Sequence, residues 1–299
     1  MEKRVLGRTG MNVSVLGFGG SEIGFQNASE ETVRTLLNTA LDLGLNAIDT
    51  AECYPGSEDL IGRAVAHRRN EFHLFTKVGH EHGLSAGEDW SADSITRTID
   101  RSLTRLRTDR VDLVQLHSCG VDVLKRGEAI DALRRARDAG KTRFIGYSGD
   151  DAPARWAVES GHFDTLQTSL SIADQQAIDL TLPLARERNM GVIIKRPIAN
   201  AAWRDRERPK GAYHETYWLR LQDLDYGFTR AAGEEAASTA LRFTLSQPGV
   251  HTMIVGTQNP TRWAENARLV ARGPLDAETL RAIRERWKSV AKPDWVGQV

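Results

Sequence analysis

Three apolar runs of the sequence end in, or lead directly to, titratable side chains: Asp49, Tyr54, Lys77 and His117. A tyrosine with its ordinary pKa of about 10 is a poor proton donor or acceptor at neutral pH. A lysine ammonium within about 4–6 Å would favour the phenolate and lower that pKa. A carboxylate beside the lysine would keep it charged and oriented, and a histidine would hydrogen-bond the same substrate oxygen. Together the four residues predict general acid–base chemistry at an oxygen atom that gains or loses a proton.

Each of these side chains also has an ordinary structural interpretation. An aspartate at the end of a strand is most often a turn former or a helix cap. A lone lysine is usually solvated, and a buried histidine usually finds a hydrogen-bond partner in the core. Their joint placement favours the chemical interpretation, because the ends of neighbouring barrel strands bring their side chains into one pocket.

The elements that must position these residues are short, β-branched apolar runs separated by helix-like segments. Eight runs fit strands that are buried on both faces, and they cover residues 13–18, 46–49, 72–78, 111–117, 142–146, 165–168, 191–195 and 252–255. Helical spacing of apolar residues is found in segments 29–43, 93–106, 129–139, 176–189, 233–246 and 261–271. The alternation predicts one α/β domain over residues 1–299, a (β/α)8 TIM barrel, whose usual length is about 250 residues.

Residues 4–15 carry Gly7-Arg8-Thr9-Gly10 between two apolar runs, which predicts an N-terminal β-hairpin outside the barrel. A doubly wound sheet is the competing architecture, and it would require a turn with G-x-G-x-x-G spacing after its first strand. The run Gly17-Phe18-Gly19-Gly20-Ser21 lacks that spacing, and no helix start is expected for about ten residues after it. These observations favour the barrel.

The segment 198–232 interrupts the alternation, and we expect a long loop there after the seventh barrel strand. It shows neither a clear strand nor a clear helix, and it carries Trp203, Tyr213, Tyr217, Trp218, Tyr226 and Phe228. Loops of this length inside a domain are usually functional. Two interpretations stay open: the aromatic residues pin the loop to the barrel rim, or the loop closes over the pocket with its basic run 204–210 facing a pyrophosphate.

Composition excludes several classes of protein. Lys+Arg and Asp+Glu number 40 each, and zero net charge argues against non-specific nucleic-acid binding. Two cysteines, Cys53 and Cys119, exclude a disulfide scaffold or a four-thiolate zinc site, and they are too widely spaced to favour any metal site. No stretch approaches 18 apolar residues and no signal-peptide core is present, so we expect a cytoplasmic protein that binds no membrane.

The segment GLNAIDTAECYPGSEDLIGRAV, residues 44–65, closely resembles the signature of the aldo-keto reductase family. Later segments resemble further landmarks of the family in the right order: FTKVG, DLVQLH, LQTSLS and IVGTQNPTRWAEN. The resemblance covers about residues 5–271 and implies a (β/α)8 barrel with NAD(P)-dependent carbonyl reductase or alcohol dehydrogenase activity. It implies that Tyr54 donates the proton, that Lys77 lowers the pKa of this tyrosine, that Asp49 pairs with Lys77, and that His117 orients the carbonyl.

The resemblance also implies a cofactor site. Gln167 stands where the family holds the nicotinamide carboxamide, and Arg262 matches the arginine that meets the 2′-phosphate and adenine. The other residues expected at the cofactor are Gly20, Asp49, Ser148, Lys195, Arg196, Gly256, Thr257, Glu265 and Asn266. Backbone N–H groups at the start of a helix suit a phosphate group there.

Three positions depart from the family pattern. Ser148 is followed by Gly149, whereas many members have an asparagine there, so Ser148 must share the binding of the carboxamide with Gln167. Lys195 and Arg196 stand where many members place an aromatic ring against the nicotinamide; a guanidinium stacks on flat rings, and which of the two replaces the ring stays open. Gly256 replaces a phosphate-binding lysine, so we expect a modest preference for NADP(H), with NAD(H) also possible.

Two other functions fit parts of the pattern. A redox-sensing subunit would bind the cofactor with little turnover, and a sugar-phosphate lyase or isomerase would use the barrel without needing Gln167. The presence of Tyr54 together with Lys77 favours a reductase for a small carbonyl or alcohol substrate. Aromatic residues in the segment 198–232 indicate apolar walls, whereas its arginines would suit an acidic or sugar substrate, so the substrate and the oligomeric state stay open.

Overall fold

Eight parallel strands close into a barrel, and a two-stranded antiparallel hairpin precedes them, as the sequence predicts. A computed structural model describes residues 1–80, 89–231 and 233–298. The hairpin strands are β1 (Lys3–Val5) and β2 (Asn12–Ser14), and the barrel strands are β3 (Leu16–Gly19), β4 (Ala47–Asp49), β5 (His73–Val78), β6 (Val111–His117), β7 (Thr142–Ser148), β8 (Thr165–Ser169), β9 (Gly191–Lys195) and β10 (Thr252–Val255). Each strand pairs with the next in sequence, and β10 pairs with both β9 and β3, which closes the barrel.

Helices surround the barrel, most of them between consecutive strands. They are α1 (Ser21–Phe25), α2 (Glu30–Asp42), α3 (Ser57–Val65), α4 (Ala92–Leu106), α5 (Val121–Arg126), α6 (Glu128–Asp138), α7 (Asp151–Ser160), α8 (Gln176–Leu180), α9 (Leu182–Glu187), α10 (Glu215–Leu224), α11 (Glu235–Leu245), α12 (Arg262–Val270) and α13 (Ala277–Val290). Short 3-10 helices cover Gly7–Thr9, Ala66–Glu71, Ala199–Arg204 and Gly227–Arg230.

Two of the predicted helices begin at a capping side chain. The Ser29 side chain accepts a hydrogen bond from the backbone N–H of Thr32 (3.1 Å) at the start of α2. Ser91 caps α4 in the same way, with the N–H of Ser94 at 3.2 Å. Helix α4 then buries Ile95 and Ile99 of its predicted apolar stripe against the barrel.

Three expectations about helices are wrong. Helix α1 begins at Ser21, directly after β3, where no helix was expected for about ten residues. The long connection expected after the seventh barrel strand is present, but its segment 198–232 contains α10 and two 3-10 helices rather than no helix, with Ala232 outside the described residues. The single helix expected over 176–189 is divided into α8 and α9, with Pro183 at the start of α9. Short helices of this kind depend on tertiary packing rather than on a periodic apolar pattern.

The hairpin closes the amino-terminal end of the barrel. Successive residues of a strand point to opposite faces, so alternate side chains enter the barrel interior. An apolar cluster there joins strand residues to the hairpin, with members Leu6, Met11, Val13, Ala47, Phe75, Leu113, Ile193 and Ile254. Gly191 lets the hairpin approach β9, because a Cβ at this position would lie 2.8 Å from the Leu6 side chain. The carboxyl-terminal end of the interior is left for polar residues.

Two further expectations concern what the chain does not contain. Among the residues described, no helix is both long and apolar enough to cross a bilayer. Nor does any group of three His, Cys, Asp or Glu side chains in residues 1–80, 89–231 and 233–298 form a set that could hold a metal ion. The single domain over residues 1–299 and the cytoplasmic location stay predictions.

Candidate active site

The strand pleat brings the predicted acid–base residues to the carboxyl-terminal end of the barrel interior. Lys77 lies two residues after Phe75 and His117 four after Leu113, so both share the face of the apolar cluster. In the register of β5 with β6, Lys77 lies beside Gln115, which occupies the same interior face. The side chains inside the barrel therefore change from apolar to polar within two residues along each of these strands.

Asp49 and Lys77 form a buried ion pair. Lys77 Nζ donates to Asp49 Oδ2 at 2.5 Å and to the Thr50 carbonyl oxygen at 2.8 Å, with the two charged residues only 2% and 1% exposed. The side-chain amide of Gln167 donates to Asp49 Oδ1 at 2.8 Å, and that of Gln115 does so at 3.3 Å. Burial is the largest single influence and favours the neutral lysine, but the charge of Asp49, the neighbouring Tyr54 and the hydrogen bond to Asp49 together raise the pKa of Lys77. The ammonium is thus held in its charged form.

Tyr54 lies on a turn that follows β4 and is fastened to β5. The Glu52 N–H donates to the Lys77 carbonyl at 3.0 Å, and the Tyr54 N–H donates to the Ala51 carbonyl at 3.1 Å. Lys77 Nζ lies 5.0 Å from the centroid of the tyrosine ring. The charge of Lys77 acts to lower the pKa of Tyr54, the direction expected from the sequence, but it is not the largest influence on this group. Burial raises that pKa above 10, and the lysine charge offsets the rise only in part.

His117 ends β6 beside the tyrosine. Its ring lies edge-on to that of Tyr54, with centroids 5.8 Å apart. Burial lowers the pKa of His117 well below 6.5, and the nearby charge of Lys77 lowers it further. The imidazole is therefore neutral at physiological pH, with one ring nitrogen a donor and the other an acceptor. The structure thus brings together all four residues predicted from the sequence.

The structure adds residues that the sequence did not single out. Phe25 of α1 is 62% exposed, and its ring centroid lies 5.6 Å from that of Tyr54. On the other side, His80 packs edge-on against His117 at 5.1 Å and against Trp90 at 4.8 Å. Only Gln115 carried a sequence signal, because it lies two residues before His117 on the same strand face. The others lie on connections whose path depends on the tertiary fold.

The residues expected at the nicotinamide lie on neighbouring strands. Ser148 Oγ donates to Gln167 Oε1 at 3.2 Å, and these two residues are paired in register between β7 and β8. Gln167 therefore joins Ser148 to Asp49, and it keeps one amide hydrogen for a further acceptor. This is a donor and acceptor set that suits a carboxamide.

Lys195 and Arg196, at the end of β9, are engaged by neighbours. Lys195 Nζ lies 2.9 Å from Asp150 Oδ2; burial lowers the pKa of this lysine to about 8, against the opposing charge of Asp150. The Arg196 guanidinium donates to Ser169 Oγ and to the Gln298 carbonyl, both at 2.7 Å, and also to the Tyr213 hydroxyl. These contacts hold the guanidinium against the C-terminal residues.

The residues expected at the adenosine end lie on the connection from β10 to α12. Arg262, the first residue of α12, is paired with Glu265 through Nη1 and Oε2 at 2.8 Å, and both side chains are more than one third exposed. Thr257 Oγ1 accepts from the Asn259 N–H at 3.0 Å and shapes the turn. The buried Nδ2 of Asn266 has no hydrogen-bond partner among the described residues, which fits a ligand acceptor at this place.

Two glycines of the expected cofactor site are required by close approach. A Cβ on Gly20 would lie 2.7 Å from Ser57 Oγ and 3.0 Å from the Asp49 carbonyl oxygen. A Cβ on Gly256 would lie 3.0 Å from the Gly19 carbonyl oxygen and 3.3 Å from Glu22 Cγ. The space beside Gly256 therefore leaves little room for a longer side chain at this position.

Comparison with known proteins places this geometry in a family. The model of the Aldo/keto reductase family matches residues 15–288. This chain belongs to the aldo/keto reductase family. The solved structure of aldo-keto reductase AKR11C1 from Bacillus halodurans, in its holo form, superposes with a TM-score of 0.81 at 29% identity, covering 98% of this chain and 99% of that one.

Curated relatives are similar over most of the chain. L-galactose dehydrogenase from Arabidopsis thaliana is 28% identical over 319 aligned positions, covering 100% of this chain and 99% of the relative. Pyridoxal 4-dehydrogenase from Microbacterium luteolum is 27% identical over 322 positions, covering 89% and 92%. This aldo/keto reductase is accordingly an NAD(P)H-dependent oxidoreductase that interconverts a carbonyl and an alcohol. The lyase or isomerase interpretation is not supported.

Proposed function

We propose that this chain reduces an aldehyde or ketone with NADPH, or oxidises the alcohol in the reverse direction, with Tyr54 as the residue that gives or takes the proton. The observation that carries the proposal is the buried Asp49–Lys77 pair, whose ammonium lies 5.0 Å from the Tyr54 ring. A buried lysine kept charged beside a tyrosine stabilises the phenolate that proton donation leaves behind. Burying two charges has a desolvation cost that can exceed their mutual attraction, so stability alone is a weak explanation for this ion pair.

In this mechanism each side chain has a separate task. The nicotinamide cofactor supplies or accepts the hydride when it is bound. Tyr54 gives its phenolic proton to the substrate oxygen, and His117, being neutral, donates a hydrogen bond to the same oxygen. Lys77 stabilises the resulting phenolate, and Asp49 keeps Lys77 charged and fixed in position. Ser148 and Gln167 hold the carboxamide of the cofactor.

We assign the adenosine end to Arg262, Glu265 and Asn266, with Gly256 and Thr257 forming the turn before the helix. Arg262 offers a guanidinium fork to a 2′-phosphate, after release of its exposed pair with Glu265. Gly256 adds no second cation. We therefore propose a modest preference for NADPH over NADH.

The substrate pocket takes a small carbonyl compound between aromatic walls. Phe25 lies against one side of Tyr54, and His80 with Trp90 lies behind His117. Flat rings of this kind pack against apolar or sugar-ring faces. The activities named for two relatives, on L-galactose and on pyridoxal, make sugars and aromatic aldehydes the first compounds to test.

The test is a panel of aldehydes, ketones and sugars assayed with NADPH and with NADH, for the unchanged protein and for Tyr54→Phe. We expect turnover of at least one compound, and we expect Tyr54→Phe to lower that turnover about 10²–10⁴-fold. Fluorescence titration should give the same dissociation constant of NADPH for both proteins. A loss below tenfold would contradict the assignment of Tyr54. Tight cofactor binding with no turnover of any compound would favour the redox-sensing subunit instead.

A further inference from the structure

His117 carries a second contact that the proton-transfer scheme does not use. Cys53, the residue before Tyr54, places Sγ 3.4 Å from His117 Nδ1. The pair joins the turn after β4 to the end of β6, two elements that are 64 residues apart in sequence. Cys119, the other thiol, is fully buried in the core around the barrel and has no such contact with the ring in the part of the chain that the structure describes.

The chemistry of the two atoms decides which one donates. A neutral imidazole carries its proton on Nδ1 or on Nε2, and the remaining nitrogen is a good acceptor. A thiol is a weak donor and a weaker acceptor. Burial raises the pKa of Cys53 to about 11, so the sulfur keeps its hydrogen at physiological pH. Donation from S–H to Nδ1 thus pairs each atom with its better role, and the imidazole proton then lies on Nε2.

We infer that Cys53 is a positioning residue that sets the tautomer of His117, so that Nε2–H faces the substrate oxygen as a hydrogen-bond donor. In the other tautomer Nε2 would present a lone pair to that oxygen and repel it. The inference rests on the proposed function for its purpose, but the tautomer itself is a property of the free protein. The Trp90 indole N–H donates to the His117 carbonyl at 3.1 Å and so acts on the backbone rather than on the ring nitrogens, whereas burial, with the nearby Lys77 charge, keeps the ring neutral.

Nitrogen-15 NMR of the protein labelled at histidine tests the tautomer directly, without substrate or cofactor. The His117 signals are identified by their loss in His117→Gln. We expect the Nε2–H form to dominate between pH 6 and 8. In Cys53→Ala we expect both tautomers, and in Cys53→Ser, whose hydroxyl donates to Nδ1, we expect the Nε2–H form again. Cys119→Ser is the matched control and should leave the signals unchanged.

Kinetics provides the second measurement. We expect kcat/KM for carbonyl reduction to fall about tenfold in Cys53→Ala, the scale of one neutral hydrogen bond, and to return in Cys53→Ser, with the dissociation constant of NADPH constant throughout. An Nδ1–H tautomer in the unchanged protein overturns the inference, even if every variant fails to fold. An unchanged tautomer in a folded Cys53→Ala overturns it as well. The Nε2–H tautomer with no carbonyl turnover would contradict the proposed function and leave the tautomer assignment in place.

Discussion

At the scale of single residues, burial and the Lys77 charge act in opposite directions on the pKa of Tyr54. Replacing Lys77 by Met removes the lowering influence, so the pKa of the tyrosine should rise. Alcohol oxidation needs the phenolate and therefore increases with pH up to that pKa. We expect the rising limb of kcat/KM for oxidation to move to higher pH in Lys77→Met, with at least a tenfold loss at pH 8. The measurement is the pH–rate profile in both directions.

The control for this prediction concerns folding. Lys77→Met leaves Asp49 as a buried, unpaired charge, which is strongly destabilising. The double variant Asp49→Asn with Lys77→Met removes both charges and should fold better while showing the same displaced profile. A folded variant of either kind with an unchanged profile would remove Lys77 from the mechanism.

We expect Arg262 to carry the proposed preference for the phosphorylated cofactor. Its side chain is free to leave Glu265, because the pair is more than one third exposed and such pairs contribute little. We expect Arg262→Ala to weaken NADPH binding by about 1.5–3 kcal/mol, the scale of a hydrogen bond to a charged group, and to leave NADH binding nearly unchanged. Fluorescence titration of both cofactors measures this.

Arg268 is the matched control on the same helix. It pairs with Glu234 rather than with any residue of the turn after β10. Arg268→Ala should change neither dissociation constant. Equal affinity of the unmodified protein for NADPH and NADH would refute the role of Arg262.

At the scale of elements, the segment between β9 and α11 divides into two parts. Tyr217, Leu221 and Leu224 of α10 are buried in the core, whereas Tyr213 is 56% exposed and holds Arg196. Five of the six aromatic residues pack against the core, which supports the structural interpretation of the cluster. Residues 204–213, before α10, are mostly exposed, and this is the part that we expect to respond to a cofactor.

Hydrogen exchange should separate these parts. We expect the amides of α10 to be protected with and without NADPH, because buried helices open only with larger unfolding. We expect new protection on cofactor binding in residues 199–213 alone, if that part closes over the pocket. Protection that is unchanged throughout would leave no role for the segment as a lid.

At the scale of the whole molecule, the hairpin completes the apolar core at the amino-terminal end of the barrel. Leu6 is fully buried in the interior cluster, and the Leu6 N–H donates to the Met11 carbonyl at 2.8 Å. We expect Leu6→Ala to lower the free energy of unfolding by about 2–5 kcal/mol, as large-to-small changes in cores do. Chemical denaturation measures it.

Val5 on the same hairpin is 56% exposed and serves as the control. Val5→Ala should change the free energy of unfolding by about 0.5 kcal/mol or less. Cofactor affinity should be unchanged in both variants, because the hairpin lies at the barrel end opposite to Lys77. A loss of cofactor binding in a folded Leu6→Ala would contradict this separation of stability from function.

The barrel could be predicted from the amino-acid sequence, and so could the four residues that the structure brings together at its carboxyl-terminal end. Buried parallel strands are short, β-branched and separated by amphipathic helices, and these periodicities are local properties that a sequence displays. Asp49, Lys77 and His117 could be found because each lies at or beside the end of such a strand, where barrel geometry brings side chains together. The family resemblance added Tyr54 as the proton donor, which the pattern alone did not establish.

The surroundings of these residues could not be predicted from the sequence, because they depend on how distant segments fold together. Several contacts at the site join segments that are far apart in sequence. Cys53 contacts His117, and Phe25 packs against Tyr54. The Trp90 indole contacts the end of β6, and the Gln298 carbonyl accepts from Arg196. Helices α1 and α10 could not be predicted from a periodic apolar pattern. Short helices are stabilised by packing against the rest of the chain more than by intrinsic propensity, so their sequences need not show such a pattern. The rise in the pKa of Tyr54 likewise depends on burial, which a sequence position does not reveal.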